Sequence, residues 1–134
     1  MLYFLRGFFV LVLLSMLAVT SWASLQCPLF GVPREVATHP WFIATLFDAY
    51  WGFLTFFVWV AYKETSWLSR SAWLVAILLL GNIAMALYCL GQLFRAAPDR
   101  PLSELLIRRS SNLTWLGGGL AVLGLFIIAL AARA

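Results

Sequence analysis

Four long apolar runs dominate the pattern of hydrophobic and polar positions along the chain. They cover residues 7–24, 41–62, 71–94 and 113–132, and each approaches the roughly 20 mostly apolar residues that a helix needs to cross a bilayer. The runs are continuous rather than alternating, which excludes the shorter strands of a membrane barrel. The pattern predicts an all-α integral membrane protein, an antiparallel bundle of four transmembrane helices that forms a single domain over residues 1–134.

The connections between the runs are short and polar. Residues 25–40 contain three prolines, which predicts an irregular loop, and residues 63–70 form a tight polar turn. Residues 95–112 carry most of the charge, and their segment PLSELLIRR has a helical rhythm that suits the membrane interface. Four spans place both termini on one side of the membrane. Basic residues then divide almost evenly between the two sides, so the positive-inside rule sets no orientation.

The first run has an alternative interpretation as a signal peptide. Arg6, the apolar stretch and the sequence Ser21-Trp22-Ala23 resemble a secretory signal, with cleavage before Ser24. We favour a retained span, because the run is long for a signal peptide and its loss would leave an odd number of helices.

Composition supports a membrane location and excludes several other classes. The chain is 64% hydrophobic and only 10% charged, whereas soluble domains contain about 25% charged residues. An ordinary soluble enzyme, a disordered tail and a nucleic-acid-binding domain are therefore excluded. Two cysteines and one histidine are too few for a disulfide scaffold or most metal centres, so we expect no cofactor and no metal. Arginine dominates the nine basic residues, which is typical of a GC-rich bacterial genome and favours the bacterial inner membrane.

Asp48 is the acidic residue that the pattern places inside a predicted span. A carboxylate at membrane depth costs about 2.5–3.5 kcal/mol on insertion scales, so it normally faces protein or water. Thr45 and Gly52 lie one helical turn away, and this small, polar face suits packing within the bundle. Three roles remain open: a structural hydrogen-bonding group, a proton or substrate site, and a solvated residue near the interface. The first role predicts that Asp48→Asn is tolerated and Asp48→Leu is not.

The third run supplies the expected partners of Asp48. If the second and third spans are antiparallel, Tyr88 lies near the depth of Asp48, with Gln92 above it and Asn82 below. Arginines at the membrane edge can also reach down to pair with the acid. The candidate intramembrane polar site therefore contains Asp48, Thr45, Tyr88, Gln92 and Asn82, with His39, Arg95 and Arg34 as candidate partners at the membrane edge.

Small residues predict where helices approach closely. Gly117, Ala121 and Gly124 form a stripe on the fourth run, at spacings of four and three residues. With Gly52, they are candidates for packing within the chain or between copies of it. Cys27 and Cys89 lack a Cys-x-x-Cys arrangement, and the default expectation is two unpaired thiols.

Two motifs point to a known family. The first is Pro-Trp-x-x-Ala-Thr-x-x-Asp over residues 40–48, and the second is Trp-Val-x-Tyr-Lys-Glu-x-x-Trp over residues 59–67. Together with the third run and Pro98-Asp99-Arg100-Pro101-Leu102, they resemble a family of small membrane proteins of unknown function found in bacteria and plants. The resemblance covers about residues 1–109 and implies no catalytic role. It implies that the family pattern includes Pro40, Trp41, Ala44, Thr45, Asp48, Trp59, Tyr62, Lys63, Glu64 and Trp67.

Three classes of function compete. The leading one is a non-catalytic packing or accessory protein that binds membrane lipids, other membrane proteins or further copies of itself. The second is a small proton-linked transporter or carrier that uses Asp48. The third is a membrane enzyme acting on lipid, with Asp48, Tyr88 and His39 as acid–base groups. The enzyme ranks last and we assign no catalytic residue, because no nucleophile stands beside a base in the sequence.

Overall fold

The structure, a computed structural model, describes residues 1–97 and 101–133, and all of the regular secondary structure in these residues is helical, with no strand. The all-α class is confirmed. The helices in chain order are α1 (Leu2–Gln26), α2 (Arg34–Ala37), α3 (Pro40–Lys63), α4 (Trp67–Leu80), α5 (Asn82–Arg95), α6 (Leu102–Ile107) and α7 (Thr114–Ala131).

Three of these helices, α1, α3 and α7, are long and apolar enough to cross a membrane. The start of α3 shows how local chemistry sets a boundary. Pro40 stands at the first helical position, where its missing N–H and fixed φ suit a helix start. The Nδ1 atom of His39 accepts the otherwise unpaired N–H of Trp41 at 3.3 Å. At its other end, α3 carries Lys63 in its last turn, where a cation complements the helix dipole.

The third apolar run, predicted to be one span, is divided into two shorter helices, and four spans are not clearly present. α4 and α5 meet at Gly81, whose φ of 52° and ψ of −127° suit glycine and not residues with a Cβ. The rings of Trp73 and Tyr88 lie 4.8 Å apart, although a continuous helix would separate these positions by about 22 Å. The chain therefore reverses at Gly81, and α4 and α5 form a helical hairpin.

The hairpin packs between the longer helices. α7 runs parallel to α4: a Cβ at Gly117 would meet Trp73, and a Cβ at Gly124 would meet Leu79. α1 runs antiparallel to α5, and Arg6 donates a hydrogen bond to the carbonyl oxygen of Leu93 at 2.9 Å. α3 closes the third side. The buried core cluster consists of Val60, Trp73, Ala76, Ile77, Ala84, Tyr88, Leu113 and Ala121.

The reversal also changes where the termini lie. α1 begins beside the end of α5, and α7 begins where Leu113 packs on Gly91, so both helices start at one end of the structure. We call this the Lys63 end, since α3 finishes there, and we call the opposite end the His39 end. α1 and α7 both run toward the His39 end, so the termini lie at opposite ends. The four predicted spans place both termini on one side of the membrane, whereas the three long helices place them at opposite ends of the structure.

We predict that Gly81→Ala destabilises the protein. A Cβ at this position would lie 2.7 Å from the ring of Phe53, and the backbone conformation itself disfavours any other residue by about 1–3 kcal/mol. The measurement is the melting temperature in detergent. Gly119→Ala in α7 is the control, because a Cβ there meets nothing within 4 Å. Equal melting of the two variants would contradict the hairpin.

Candidate functional site

The last residue of α3 and the first residue of the turn that follows are charged and almost completely buried. Lys63 and Glu64 are 1% and 0% exposed, although a polar turn after a span is expected to face solvent. The backbone N–H of Glu64 closes the last turn of α3 by donating to Val60 at 2.8 Å. The Nε atom of Arg70 donates to the carbonyl oxygen of Glu64 at 2.9 Å. These bonds fix the turn, and they direct the Glu64 carboxylate inward.

The carboxylate of Glu64 connects three helices. Ser69 of α4 donates its hydroxyl to Oε2 at 2.6 Å, and Tyr88 of α5 donates its hydroxyl to Oε1 at 2.9 Å. A buried carboxylate is costly unless it is hydrogen-bonded, and bonds to a charged acceptor contribute about 1.5–3 kcal/mol each. Glu64 therefore ties both arms of the hairpin to the end of α3.

Aromatic rings hold Tyr88 in place. The ring of Trp73 lies 4.8 Å from that of Tyr88, the ring of Trp59 lies 5.6 Å away, and the ring of Phe56 lies 6.2 Å away. All three contacts are edge-to-face, the arrangement that aromatic quadrupoles favour. Tyr88 is fully buried, and its hydroxyl therefore keeps one direction, toward Glu64.

Lys63 fixes α6 over the end of α3. Its ammonium group donates to the carbonyl oxygen of Leu105 and lies 5.2 Å from the centre of the Trp59 ring, within the range of a cation–π interaction. The indole Nε1 of Trp59 donates to the carbonyl oxygen of Leu106 at 3.1 Å. Two side chains of α3 thus bind two successive carbonyl oxygens of α6.

Ser111 fastens the segment that leads into α7. Its hydroxyl accepts the backbone N–H groups of Thr65 and Ser66, at 2.9 and 2.8 Å. The backbone N–H of Ser110 donates to the carbonyl oxygen of Lys63 at 2.9 Å. The turn after α3 and the segment before α7 consequently form one hydrogen-bonded unit at the Lys63 end.

A cavity of about 750 Å³ opens beside this unit, a size typical of small-molecule sites. Its cationic lining comes from three parts of the chain: Lys63 at the end of α3, Arg95 at the end of α5 and Arg108 after α6. We call Glu64, Ser69 and Tyr88 the Glu64 cluster. Gln92 lines the cavity and also contacts the Tyr88 hydroxyl, so it connects the cavity to this cluster. The remaining lining includes Leu2, Leu102, Leu105 and Trp115, together with Glu104, Ser110 and Asn112.

The structure does not bring the sequence-predicted polar site together. Asp48 lies exposed on α3, where it makes no hydrogen bond to another described residue, and the hydroxyl of Thr45 donates to its own helix at 2.8 Å. Tyr88 and Gln92 are buried near Glu64, at the Lys63 end, and Asn82 is exposed beside the reversal. The physical reason is the turn at Gly81, which carries the second half of the third run away from Asp48.

The three candidate partners at the membrane edge also lie at opposite ends of the structure. His39 caps α3 and Arg34 is exposed, both at the His39 end. Arg95 lines the cavity at the Lys63 end. Cys27 follows α1 and is exposed, whereas Cys89 is buried next to Tyr88, and both thiols are free.

Three of the four candidate packing residues lie in one interface. Gly117, Ala121 and Gly124 are buried on the face of α7 that contacts α4. A Cβ would lie 2.9 Å from Trp73 at the first glycine and 2.9 Å from Leu79 at the last. Gly52 is exposed, and a Cβ there would meet nothing within 4 Å.

Sequence reasoning missed Glu64 and Lys63 as site residues. The signal that could have found them is their place in the second motif, directly after a span and between Trp59 and Trp67. Within the described residues no group of three or more His, Cys, Asp or Glu side chains could hold a metal ion. The donors around Glu64 are hydroxyl groups, which suit hydrogen bonding.

Together these features define a class: a helical protein with three helices long enough to cross a membrane and a cation-lined cavity at one end. The chain belongs to the family described as Protein of unknown function (DUF1475), which matches residues 4–129. The match extends past the motifs and includes most of α7. No curated protein matches the chain, and no solved structure matches it.

We predict that Glu64→Leu lowers the melting temperature in detergent much more than Asp48→Leu. Leucine at position 64 leaves the buried hydroxyls of Ser69 and Tyr88 without their acceptor, and each orphaned group costs about 1–3 kcal/mol. The side chain of Asp48 is exposed and orphans no described donor. Glu64→Gln serves as a second control, because its amide oxygen still accepts one hydroxyl. Equal losses at positions 48 and 64 would contradict this assignment.

Proposed function

We propose that the protein is a multi-pass membrane protein in which α1, α3 and α7 cross the bilayer and the α4–α5 hairpin enters from one side. Each arm of the hairpin has 14 residues and is about 21 Å long, too short for a hydrocarbon core of about 30 Å. Irregular backbone at membrane depth is tolerated where protein covers it. Phe53 packs over Gly81 and provides that cover.

The distribution of charge supports an orientation. The reversal at Gly81 moves the charged 95–112 segment to the same end as the N-terminus and the 63–70 turn. Six of the eight basic residues that the structure describes then lie at the Lys63 end, and by the positive-inside rule this end faces the cytoplasm. The six are Arg6, Lys63, Arg70, Arg95, Arg108 and Arg109, with Arg34 and Arg133 at the His39 end.

The function that this geometry favours is non-catalytic binding of a membrane amphiphile in the cavity at the Lys63 end. The observation that carries it is the lining, which combines three cationic side chains with apolar side chains from the first residues of α1 and α7. Leu2 and Trp115 belong to these two starts, and Trp115 is 71% exposed, as expected of an indole at the membrane interface. A molecule with a polar head and an apolar body fits such a lining.

The two rival functions receive less support from the contacts. Ser69 and Glu64 form a hydroxyl–carboxylate pair, but both side chains are 0% exposed and are bonded to each other and to Tyr88. A proton carrier based on Asp48 would need polar groups around that residue, and its side chain has no hydrogen-bond partner among the described residues. Asp48 also lies about 22 Å along α3 from Lys63 and the cavity.

We predict that Arg34 and Arg133 face the same side of the membrane and that Arg109 faces the other. Single cysteines at these three positions in the full chain, with Cys27 replaced by serine and the buried Cys89 by alanine, are labelled by a membrane-impermeant maleimide. In intact cells, positions 34 and 133 should react, and position 109 should react only after permeabilisation. Reaction of positions 34 and 133 from opposite sides would contradict the three-span topology, and the inverse pattern would contradict the orientation.

We predict that the protein retains a lipid when it is extracted in mild detergent, and that filling the cavity displaces it. Leu102→Trp places a large side chain in the lining, whereas Leu106→Trp changes the same helix at a position outside the lining. Native mass spectrometry should show bound lipid on the wild type and on Leu106→Trp, and much less on Leu102→Trp. A wild type without lipid, or equal loss from both variants, would contradict binding in the cavity.

A further inference from the structure

We propose that the cavity recognises the phosphate-bearing headgroup of an anionic lipid. The inference rests on the proposed function and names its ligand class. It depends on which charged side chains line the cavity and on where the apolar part of the lining lies.

The positive charge comes from side chains that the fold brings together from distant parts of the chain. Lys63, Arg95 and Arg108 line the same space, against a single carboxylate, Glu104, among the described lining residues. Lys63 is held in place before a ligand arrives, because one of its three N–H groups binds the carbonyl oxygen of Leu105. Lys63 is only 1% exposed, whereas Arg95 and Arg108 are exposed, so the two guanidinium groups are the cations that an anion reaches most directly.

The chemistry of these side chains favours phosphate. A guanidinium group binds phosphate oxygens in bidentate fashion, and a lysine ammonium adds a compact point charge. Two guanidinium groups and one ammonium group around one cavity therefore suit a tetrahedral anion. Gln92, Ser110 and Asn112 provide neutral donors and acceptors beside the cations, which suit the hydroxyl or ester oxygens attached to a lipid phosphate.

The apolar part of the lining distinguishes a lipid from a free phosphate. Leu2 and Trp115 stand at the first turns of α1 and α7, the two helices that enter the membrane from this end. A headgroup bound to the cations can therefore leave its acyl chains beside these helices. Leu102 and Leu105 of α6 line the same space, and this suits the glycerol and upper chain region.

Arg109 provides a matched comparison for Arg108. It follows directly in sequence and carries the same charge, but its guanidinium lies over the ring of Tyr62, at 5.4 Å, and does not line the cavity. Arg34 lies at the opposite end of the structure. The pair Arg34 and Arg109 thus controls for a loss of two charges outside the cavity.

The test is a competition between phosphatidylglycerol and phosphatidylcholine with identical acyl chains, measured by native mass spectrometry on the full chain. We expect the wild type to bind about ten times more phosphatidylglycerol than phosphatidylcholine. This ratio corresponds to a difference in binding free energy of about 1.4 kcal/mol. The double variant Arg95→Gln/Arg108→Gln should lose most of this preference. The double variant Arg34→Gln/Arg109→Gln should keep it.

Arg95 and Arg108 are exposed, so their replacement is not expected to unfold the protein. The melting temperature of each variant checks that it is folded.

Three outcomes would overturn the inference. The first is a wild type that retains both lipids equally, which leaves lipid binding intact and removes the headgroup assignment. The second is an equal loss of preference in both double variants. The third is equal protection against thermal unfolding by glycerol 3-phosphate and by phosphatidylglycerol, which would assign the cavity to a soluble anion. A wild type that retains no lipid contradicts the proposed function itself.

Discussion

The reversal of the chain at Gly81 is the constraint on which the rest of the structure depends. Its backbone conformation is open to glycine and closed to residues with a Cβ, and the ring of Phe53 fills the space where that Cβ would lie. Because the chain turns back, Tyr88 reaches Glu64 and the end of α5 returns to the end of α3. The segment that contains α6 then closes over Lys63. A straight helix through position 81 would separate all of these groups.

The Glu64 cluster and the cavity lie next to each other, and α5 contributes residues to both. Glu64 binds Ser69 and Tyr88 within the hairpin, and its neighbour Lys63 faces the cavity and binds α6. Gln92 contacts Tyr88 on one side and lines the cavity on the other. The buried hydrogen bonds therefore hold the wall that carries the cations, and disruption of the hairpin would also change the cavity.

Hydropathy and spacing were enough to predict α1, α3 and α7, since a long apolar run has one stable form in a membrane. The third run was predicted to be one helix because a single span and a hairpin of two shorter helices can have the same total length and the same hydropathy. A lone glycine costs only about 1 kcal/mol inside a helix and is a weak breaker signal. The candidate polar residues lie apart for the same reason: the depth of Tyr88 relative to Asp48 was derived from a straight third helix. Glu64 was missed because a charged residue just after a span normally faces solvent.

The gathering of cations at the Lys63 end has an electrostatic consequence. Like charges that a fold brings together repel one another and destabilise the compact state, and Lys63 is in addition almost completely removed from solvent. The carbonyl oxygen of Leu105, the ring of Trp59 and the neighbouring Glu64 compensate in part for the ammonium group of Lys63. Arg95 and Arg108 add two more cations to the same cavity, whose described lining contains one carboxylate, Glu104. An anion bound among these groups would relieve the repulsion and strengthen the contacts between α3, α5 and α6. In the proposed orientation this end faces the leaflet that is rich in anionic headgroups, which agrees with the proposed ligand.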